Sequence, residues 1–149
     1  LRSMWVLNSI GGADEEWLLK QTHHGNEHIR TWAIKLLCDY GELSNATKTR
    51  FIQMADKDTA GLVQLHLASA LQQLPFNDRW PLATALTSHD TYAKDPVLPL
   101  MVWYGINPAI PENRAEAIKL IARCKIPKVR QFIARRLAGE KDIVEEKKK

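Results

Sequence analysis

The sequence lacks the features that mark membrane-spanning and disulfide-rich proteins. No apolar run approaches the roughly 18 to 20 residues that a bilayer-spanning helix needs, and the longest, at 97–104, is interrupted by Pro99. Only two cysteines are present, Cys38 and Cys124, each within an apolar helical pattern. Because an unpaired cysteine usually behaves as a small hydrophobic residue, we expect two buried thiols, no disulfide framework and no membrane insertion.

Motifs of catalysis and cofactor binding are also missing. The sequence has no His-Glu-x-x-His, no Cys-x-x-Cys, no Cys-x-x-Cys-His haem attachment sequence and no Gly-rich phosphate loop. His23, His24 and His28 come nearest to a metal site. Gly25 and Asn26 interrupt the helical pattern between them, however, which favours an exposed turn. His89 beside Asp90 has no accompanying nucleophile, which favours helix-end capping over general-base chemistry. We therefore predict no catalytic residue, no metal site, no cofactor and no enzyme activity in this chain.

The composition is that of an ordinary globular protein, but its charge is unevenly distributed. Of the 149 residues, 45% are hydrophobic and 26% are charged, and the net charge is +4. Residues 112–149 carry twelve Lys or Arg against six Asp or Glu, which leaves a balance of −2 for residues 1–111. A basic end can favour an acidic partner or nucleic acid. A solvated terminal helix and tail is the plainer interpretation, and we do not expect nucleic-acid binding.

What the sequence does contain is a repeat of four similar helical stretches. Taking Ile29, Val63, Leu98 and Val129 as equivalent positions, the spacings are 34, 35 and 31 residues. This period is typical of helical solenoids, in which a helix pair buries its apolar face only against the next pair. Asn26 and Asp58 are suited to cap two of these helices, and the remaining two stretches have proline, at 96 and 127, suited to the first helical position.

Partner helices are expected between these stretches, at about 14–23, 43–56, 77–89 and 112–124. Ser44 and Asn77 or Asp78 can cap two of them, and Pro81 fits the first turn of the third. Residues 1–10 are expected to be a further, trimmed helix, and Gly139 is expected to end the last one. The predicted fold is all-α: a right-handed α-solenoid of about nine helices in four to five HEAT-like repeats at 1–138, followed by a charged tail or linker at 139–149.

Six residues are candidates for docking a partner. Trp80 follows Arg79 at a predicted helix start and is expected to be partly exposed. Tyr92 and Tyr104 bound a proline-framed aromatic segment that favours either solenoid core or a docking face for an adjoining domain. A basic segment in the last helix is expected to pair with acidic groups on a neighbouring repeat. The candidates are Trp80, Arg79, Tyr92, Tyr104, Lys128 and Arg130.

The segments at 29–37, 63–75, 98–105 and 132–137 resemble the HEAT-like region of large bacterial proteins named membrane-bound dehydrogenases. Leu-Pro-Leu-Met-Val-Trp-Tyr-Gly at 98–105 is the most specific element, and the resemblance covers residues 1 to about 138. In that family a propeller domain similar to glucose/sorbosone dehydrogenases precedes the HEAT-like repeats, and a c-type cytochrome domain often follows. The tail at 139–149 departs from this pattern because it has no haem attachment sequence.

The resemblance implies a non-catalytic spacer within a multidomain oxidoreductase of the periplasm or cell envelope. Oxidation and haem c would then belong to domains outside this chain, and the partners would be neighbouring domains of the same polypeptide. The abrupt start at Leu1, without an initiator methionine, is expected of a piece of a longer protein. We expect a monomer. Two alternatives stay open: a free-standing adaptor that binds a protein or peptide in its concave groove, and a DNA-binding protein of the alkylation-repair type.

Overall fold

The computed structural model describes Val6, residues 12–39 and residues 41–146, with side chains up to Gly139. This part of the chain forms eight α-helices and no β-strand, which confirms the all-α prediction. The ninth predicted helix, at 1–10, lies outside the described residues apart from Val6. The helices are α1 Glu15–Gln21, α2 Glu27–Asp39, α3 Asn45–Lys57, α4 Gly61–Ala70, α5 Phe76–Leu86, α6 Leu98–Ile106, α7 Arg114–Arg123 and α8 Pro127–Glu146, with 3-10 turns at Leu71–Gln73 and Asn107–Ala109.

The helices are arranged in two layers. Helices α3, α5 and α7 contact one another in sequence, and so do α2, α4, α6 and α8. Consecutive helices α1–α2, α3–α4, α5–α6 and α7–α8 pack across from one row to the other. We call the first row, together with α1, the odd layer and the second row the even layer. Each helix pair is therefore followed by a similar pair, as the repeat spacing predicts.

The hydrophobic core takes side chains from both layers, and so lies between them. Phe51 of α3 and Leu82 of α5 belong to the same buried cluster as Leu67 of α4 and Ile106 of α6. Burial of such a side chain stabilises the fold by roughly 1.5–3 kcal/mol before entropy is counted. Two-sided packing of this kind explains why the apolar residues recur at helical spacing in every repeat.

Several helix ends lie where the cap residues predicted them. The Asn26 Oδ1 accepts the His28 backbone N–H at 2.9 Å, just before α2. The Ser44 Oγ accepts the Thr47 N–H at 3.2 Å at the start of α3. Pro127 is the first residue of α8. Asn26 and Ser44 accept backbone N–H groups that have no partner inside the helix. Pro127 has no N–H group, so none is left unpaired at that position.

Two predicted helix starts are wrong because an aspartate holds the chain in a turn first. The Asp58 carboxylate accepts the Ala60 N–H at 3.0 Å, and α4 begins only at Gly61. The Asp95 carboxylate accepts the Val97 and Leu98 N–H groups at 2.8 and 2.7 Å. Helix α6 therefore begins at Leu98, so the proline at position 96 precedes the helix instead of starting it.

Helices α5 and α8 also depart from their predicted limits. Helix α5 begins at Phe76 after Pro75, so neither Asn77 nor Asp78 caps it and Pro81 lies in its second turn. It ends at Leu86 instead of residue 89. Helix α8 continues through Gly139 to Glu146. Glycine lowers helix stability by only about 1 kcal/mol, so one such residue does not end a helix that continues on both sides.

Candidate functional site

Polar contacts join neighbouring helix pairs in the odd layer. The Glu15 carboxylate of α1 accepts hydrogen bonds from the Ser44 and Thr47 hydroxyls at the start of α3, the latter at 2.6 Å. These bonds lower the pKa of Glu15, with the Ser44 bond as the larger cause. Lys48 of α3 forms an ion pair at 2.7 Å with Asp78 of α5. The partners are 29 to 32 residues apart, close to one repeat.

The even layer also has a polar contact of this kind, and it is more buried than the Lys48–Asp78 pair. The guanidinium of Arg30 on α2 donates two hydrogen bonds to the Asp58 carboxylate, at 2.7 and 2.9 Å. The two side chains are only 15% and 11% exposed. Arg30 also donates to the carbonyls of His24 and Gly25, which fixes the turn before α2. Asp58, predicted as a helix cap, is thus chiefly the acceptor of an inter-repeat ion pair.

Arg79 joins the two layers from within the core. Its guanidinium donates to the backbone carbonyls of Leu74, Gly105 and Gln72, at 2.8, 2.6 and 3.3 Å. The guanidinium also lies 4.8 Å from the centre of the Phe76 ring. Burial lowers the pKa of Arg79, and the three carbonyls are acceptors that helix ends leave without partners. Arg79 therefore holds the end of α6 against the start of α5.

A cleft of about 150 Å³ lies at the end of α3, against the loop between α5 and α6. Its wall includes Gln64, whose side-chain amide donates to the Asp58 carbonyl at 2.6 Å. The Tyr92 hydroxyl donates to the Thr59 carbonyl at 2.5 Å, and burial is the main cause that raises the pKa of Tyr92. His89 lies 3.0 Å from the Asp56 carbonyl oxygen, so it contacts the preceding repeat and does not cap its own helix. These groups are occupied in holding the joint.

Two further clefts, of about 260 and 290 Å³, lie side by side between α2 and α4. Both are lined by Lys35 and His66. The Lys35 ammonium lies 4.6 Å from the centre of the Trp32 ring. Cys38 lies in the second cleft, and burial raises the pKa of its thiol to about 12, which keeps it protonated at neutral pH. Lys35 was not among the predicted docking residues. The three-residue spacing between Trp32 and Lys35 places both on one helix face and could have indicated this contact.

The structure separates the predicted docking residues into two groups. Trp80 and Arg79 are only 4% and 8% exposed, so the expected surface position of this pair is wrong. Trp80 belongs to the core cluster, and the Arg79 guanidinium is held by the Leu74 and Gly105 carbonyls. Tyr92 is half-buried, whereas Tyr104, Lys128 and Arg130 are exposed. Their role in binding a partner stays a prediction.

The histidines and cysteines of the described part of the chain have ordinary surroundings. His23, His24 and His28 lie exposed on or beside the turn before α2, as predicted, and the His24 Nδ1 accepts the backbone N–H of Asn26. Both cysteines are unpaired; Cys124 is buried and Cys38 is half-buried. Among the described residues, no three His, Cys, Asp or Glu side chains are grouped closely enough to hold a metal ion. No helix within residues 12–39 and 41–146 has the length and apolar character needed to cross a bilayer.

Comparison of the chain with protein-family models, with curated proteins and with solved structures returned no match.

Proposed function

We propose that this chain is a non-catalytic scaffold, a stack of HEAT-like helix pairs that holds its partners at a fixed separation. The observation that supports it most is the repetition of polar contacts one repeat apart. Arg30–Asp58, Lys48–Asp78 and Tyr92–Thr59 join residues separated by 28, 30 and 33 positions. Such contacts between successive pairs, added to the shared core, favour a stack that moves as one body. We also propose that the stack advances as a right-handed superhelix.

A distance measurement between the two ends of the stack tests the scaffold proposal. Spin labels would be attached at Glu16→Cys on α1 and Gln131→Cys on α8, two exposed positions, with Cys38→Ala and Cys124→Ala removing the native thiols. We expect one narrow distance distribution by pulsed electron–electron double resonance. Its mean should be the same at about 0.05 and 0.5 M salt, because a packed stack does not depend on surface charges alone. A broad distribution, or several distances, in this protein would contradict a rigid scaffold.

A companion variant identifies what makes the stack rigid. Arg30→Met together with Lys48→Met removes one inter-repeat ion pair from each layer while keeping the aliphatic part of each side chain. We expect this variant to remain folded by circular dichroism and to show a wider distance distribution. An unchanged width would assign the rigidity to the apolar core alone.

The resemblance to membrane-bound dehydrogenases supports a more specific proposal. In it, the chain is the spacer between a sugar-oxidising propeller and a c-type cytochrome domain of a periplasmic or envelope protein, and both activities lie outside this chain. The full-length reading frame is the test. Propeller and haem attachment sequences on either side of this segment are expected, and flanks that contain neither would contradict this assignment while leaving the scaffold proposal intact.

A free-standing adaptor is the second candidate function, and the clefts between α2 and α4 favour it. An adaptor needs a surface that can accept a partner, whereas a pure spacer needs only its two ends. Retention of a defined peptide by the purified chain would support the adaptor.

A further inference from the structure

Helices α4 and α6 carry no charged residue on the sides that face away from the odd layer. Neither Gly61–Ala70 nor Leu98–Ile106 contains a Lys, Arg, Asp or Glu. A surface helix normally carries polar residues opposite its core-facing stripe. Here Leu62 and Leu65 of α4 are half-buried and Tyr104 of α6 is 57% exposed. Helix α6 therefore presents apolar surface where polar side chains are expected, and α4 presents Leu62 and Leu65 beside the polar His66 and Ser69.

The apolar surface extends to the neighbouring helices of the same layer. Trp103 of α6 packs against Phe132 of α8, with ring centres 5.4 Å apart, and both are half-buried. At the other end, Trp32 of α2 and Leu62 of α4 line one cleft. We call this surface the even-helix face; it consists of Trp32, Leu62, Leu65, Trp103, Tyr104 and Phe132. Apolar side chains that are grouped on one layer and partly exposed are typical of an interaction site.

The charged residues beside the even-helix face are mainly basic. Lys35 lies against Trp32 at one end. At the other end, Lys128 and Arg135 are exposed and lie four residues before and three residues after Phe132, which places them on the same side of α8. Asp39 is the acidic residue that lines a cleft on this side. Apolar side chains bordered by basic ones are complementary to a ligand that is apolar and acidic.

The clefts between α2 and α4 add a position for a ligand polar group. Thr31 lines the smaller cleft together with Trp32 and Leu62. It is 5% exposed, and its Oγ1 has no hydrogen-bond partner among the described protein groups. Buried hydroxyls are normally paired. A peptide N–H or C=O that approaches through the cleft would provide the missing bond.

We propose that the even-helix face binds an acidic peptide segment of a partner protein, with apolar side chains as its anchors in the smaller cleft, beside Trp32 and Leu62, and beside Tyr104. The inference rests on the scaffold function and names the class of its ligand. A second copy of this chain is a poorer occupant, because a symmetric dimer would bring Lys35, Lys128 and Arg135 against the same basic residues. The apolar surface of α4 and α6 likewise does not suit a phosphate backbone.

Peptide display on the purified full chain tests this proposal. A random library of peptides of about 12 residues is selected against the protein, and the recovered peptides are measured by fluorescence anisotropy. We expect the recovered peptides to combine Asp or Glu with Leu, Phe or Trp. Their affinity is expected to fall about tenfold or more in Tyr104→Ser and in Arg135→Glu. The first removes an apolar contact, and the second reverses a charge that would pair with the acidic residues of the peptide.

Matched substitutions in the odd layer serve as controls. Ile118 on α7 is 59% exposed, almost the same as Tyr104, and Arg123 on α7 is exposed like Arg135. Ile118→Ser and Arg123→Glu are expected to change the affinity by less than about twofold, since surface positions away from an interface contribute little. Circular dichroism and thermal unfolding of all four variants would verify that each is folded.

Four outcomes would overturn the proposal. They are recovery of no peptides above a tag-only control, recovery of basic peptides, an equal loss of affinity in the odd-layer variants, and a dimer in sedimentation that Tyr104→Ser converts to a monomer. The last outcome would assign the face to self-association. The first three can occur while the spin-label distances stay narrow. A dimer would add distances between chains, but these disappear when the labelled protein is diluted with unlabelled protein, so failure of this inference is distinguishable from failure of the scaffold proposal.

Discussion

The contacts between neighbouring helices differ between the odd layer and the even layer of the protein. Between helices of the odd layer, the structure shows hydroxyl–carboxylate and ion-pair contacts such as Glu15–Thr47 and Lys48–Asp78. In the even layer, α6 approaches the 3-10 turn that follows α4 closely: a Cβ atom placed on Gly105 would lie 2.6 Å from the Leu71 Cβ. We therefore expect acid to weaken the contact between α1 and α3 of the odd layer, and changes in volume to weaken the packing of α6 against α4 and the turn that follows it.

Gly105→Ala is the strongest test of close packing in the even layer. The added methyl group would overlap the Leu71 Cβ, which cannot move without its backbone. We expect the free energy of unfolding to fall by about 3 kcal/mol, at the upper end of the range for overpacked cores. Urea unfolding followed by circular dichroism measures this change.

Gly139 of α8 is a matched control, because an added Cβ there meets nothing within 4 Å. Gly139→Ala is expected to raise the free energy of unfolding by about 0.5–1 kcal/mol, since alanine favours the helix. If Gly105→Ala left the free energy of unfolding unchanged, this would contradict the close packing of Gly105 against Leu71.

Arg79 tests the link between the two layers. Arg79→Met keeps most of the side-chain volume but leaves the carbonyls of Leu74 and Gly105 without their donor. We expect a loss of about 2 kcal/mol in the free energy of unfolding, the cost of leaving buried acceptors unpaired. Arg123→Met, at an exposed position, should change it by less than about 0.5 kcal/mol. Equal effects of the two substitutions would argue against a buried role for Arg79.

Double-mutant cycles compare the ion pair of one layer with that of the other. Arg30 and Asp58 are 15% and 11% exposed, whereas Lys48 and Asp78 are 19% and 40% exposed. We expect a coupling free energy of about 1.5 kcal/mol for the first, two-bonded pair and about 0.5 kcal/mol or less for the second, more solvated pair. The opposite order would show that burial does not determine the relative strength of these two ion pairs.

The sequence predicted the helices better than their ends, and core positions better than polar contacts. The four repeated apolar stretches, and the segments predicted as partner helices between them, located all eight described helices. It misplaced the starts of α4 and α6 because Asp58 and Asp95 bind backbone N–H groups of a preceding turn, a choice that local composition does not determine. The burial of Arg79 depends on the Gly105 carbonyl, 26 residues away, which no local pattern reveals.

The smallest expected effect concerns the acidic contact of the odd layer. The Ser44 and Thr47 hydroxyls hold the pKa of Glu15 below its ordinary value of 4.5. A carboxylate with a lowered folded-state pKa contributes stability above its unfolded pKa, and this contribution is lost as the pH falls through the folded value. Acidification below about pH 4.5 should therefore weaken the contact between α1 and α3, while the apolar approach of α4 and α6 does not titrate.

Thr47→Val removes one of the two hydroxyls at nearly constant volume and should move the pKa of Glu15 part of the way back toward 4.5. Thr49→Val, an exposed position on the same helix, should leave the Glu15 titration unchanged. Nuclear magnetic resonance of the Glu15 side-chain carboxyl measures both shifts. Since Ser44 remains as the larger cause, the shift in Thr47→Val should be partial. An identical titration curve in both variants would remove the evidence that α1 is joined to α3 through this carboxylate, and with it part of the distinction between the layers.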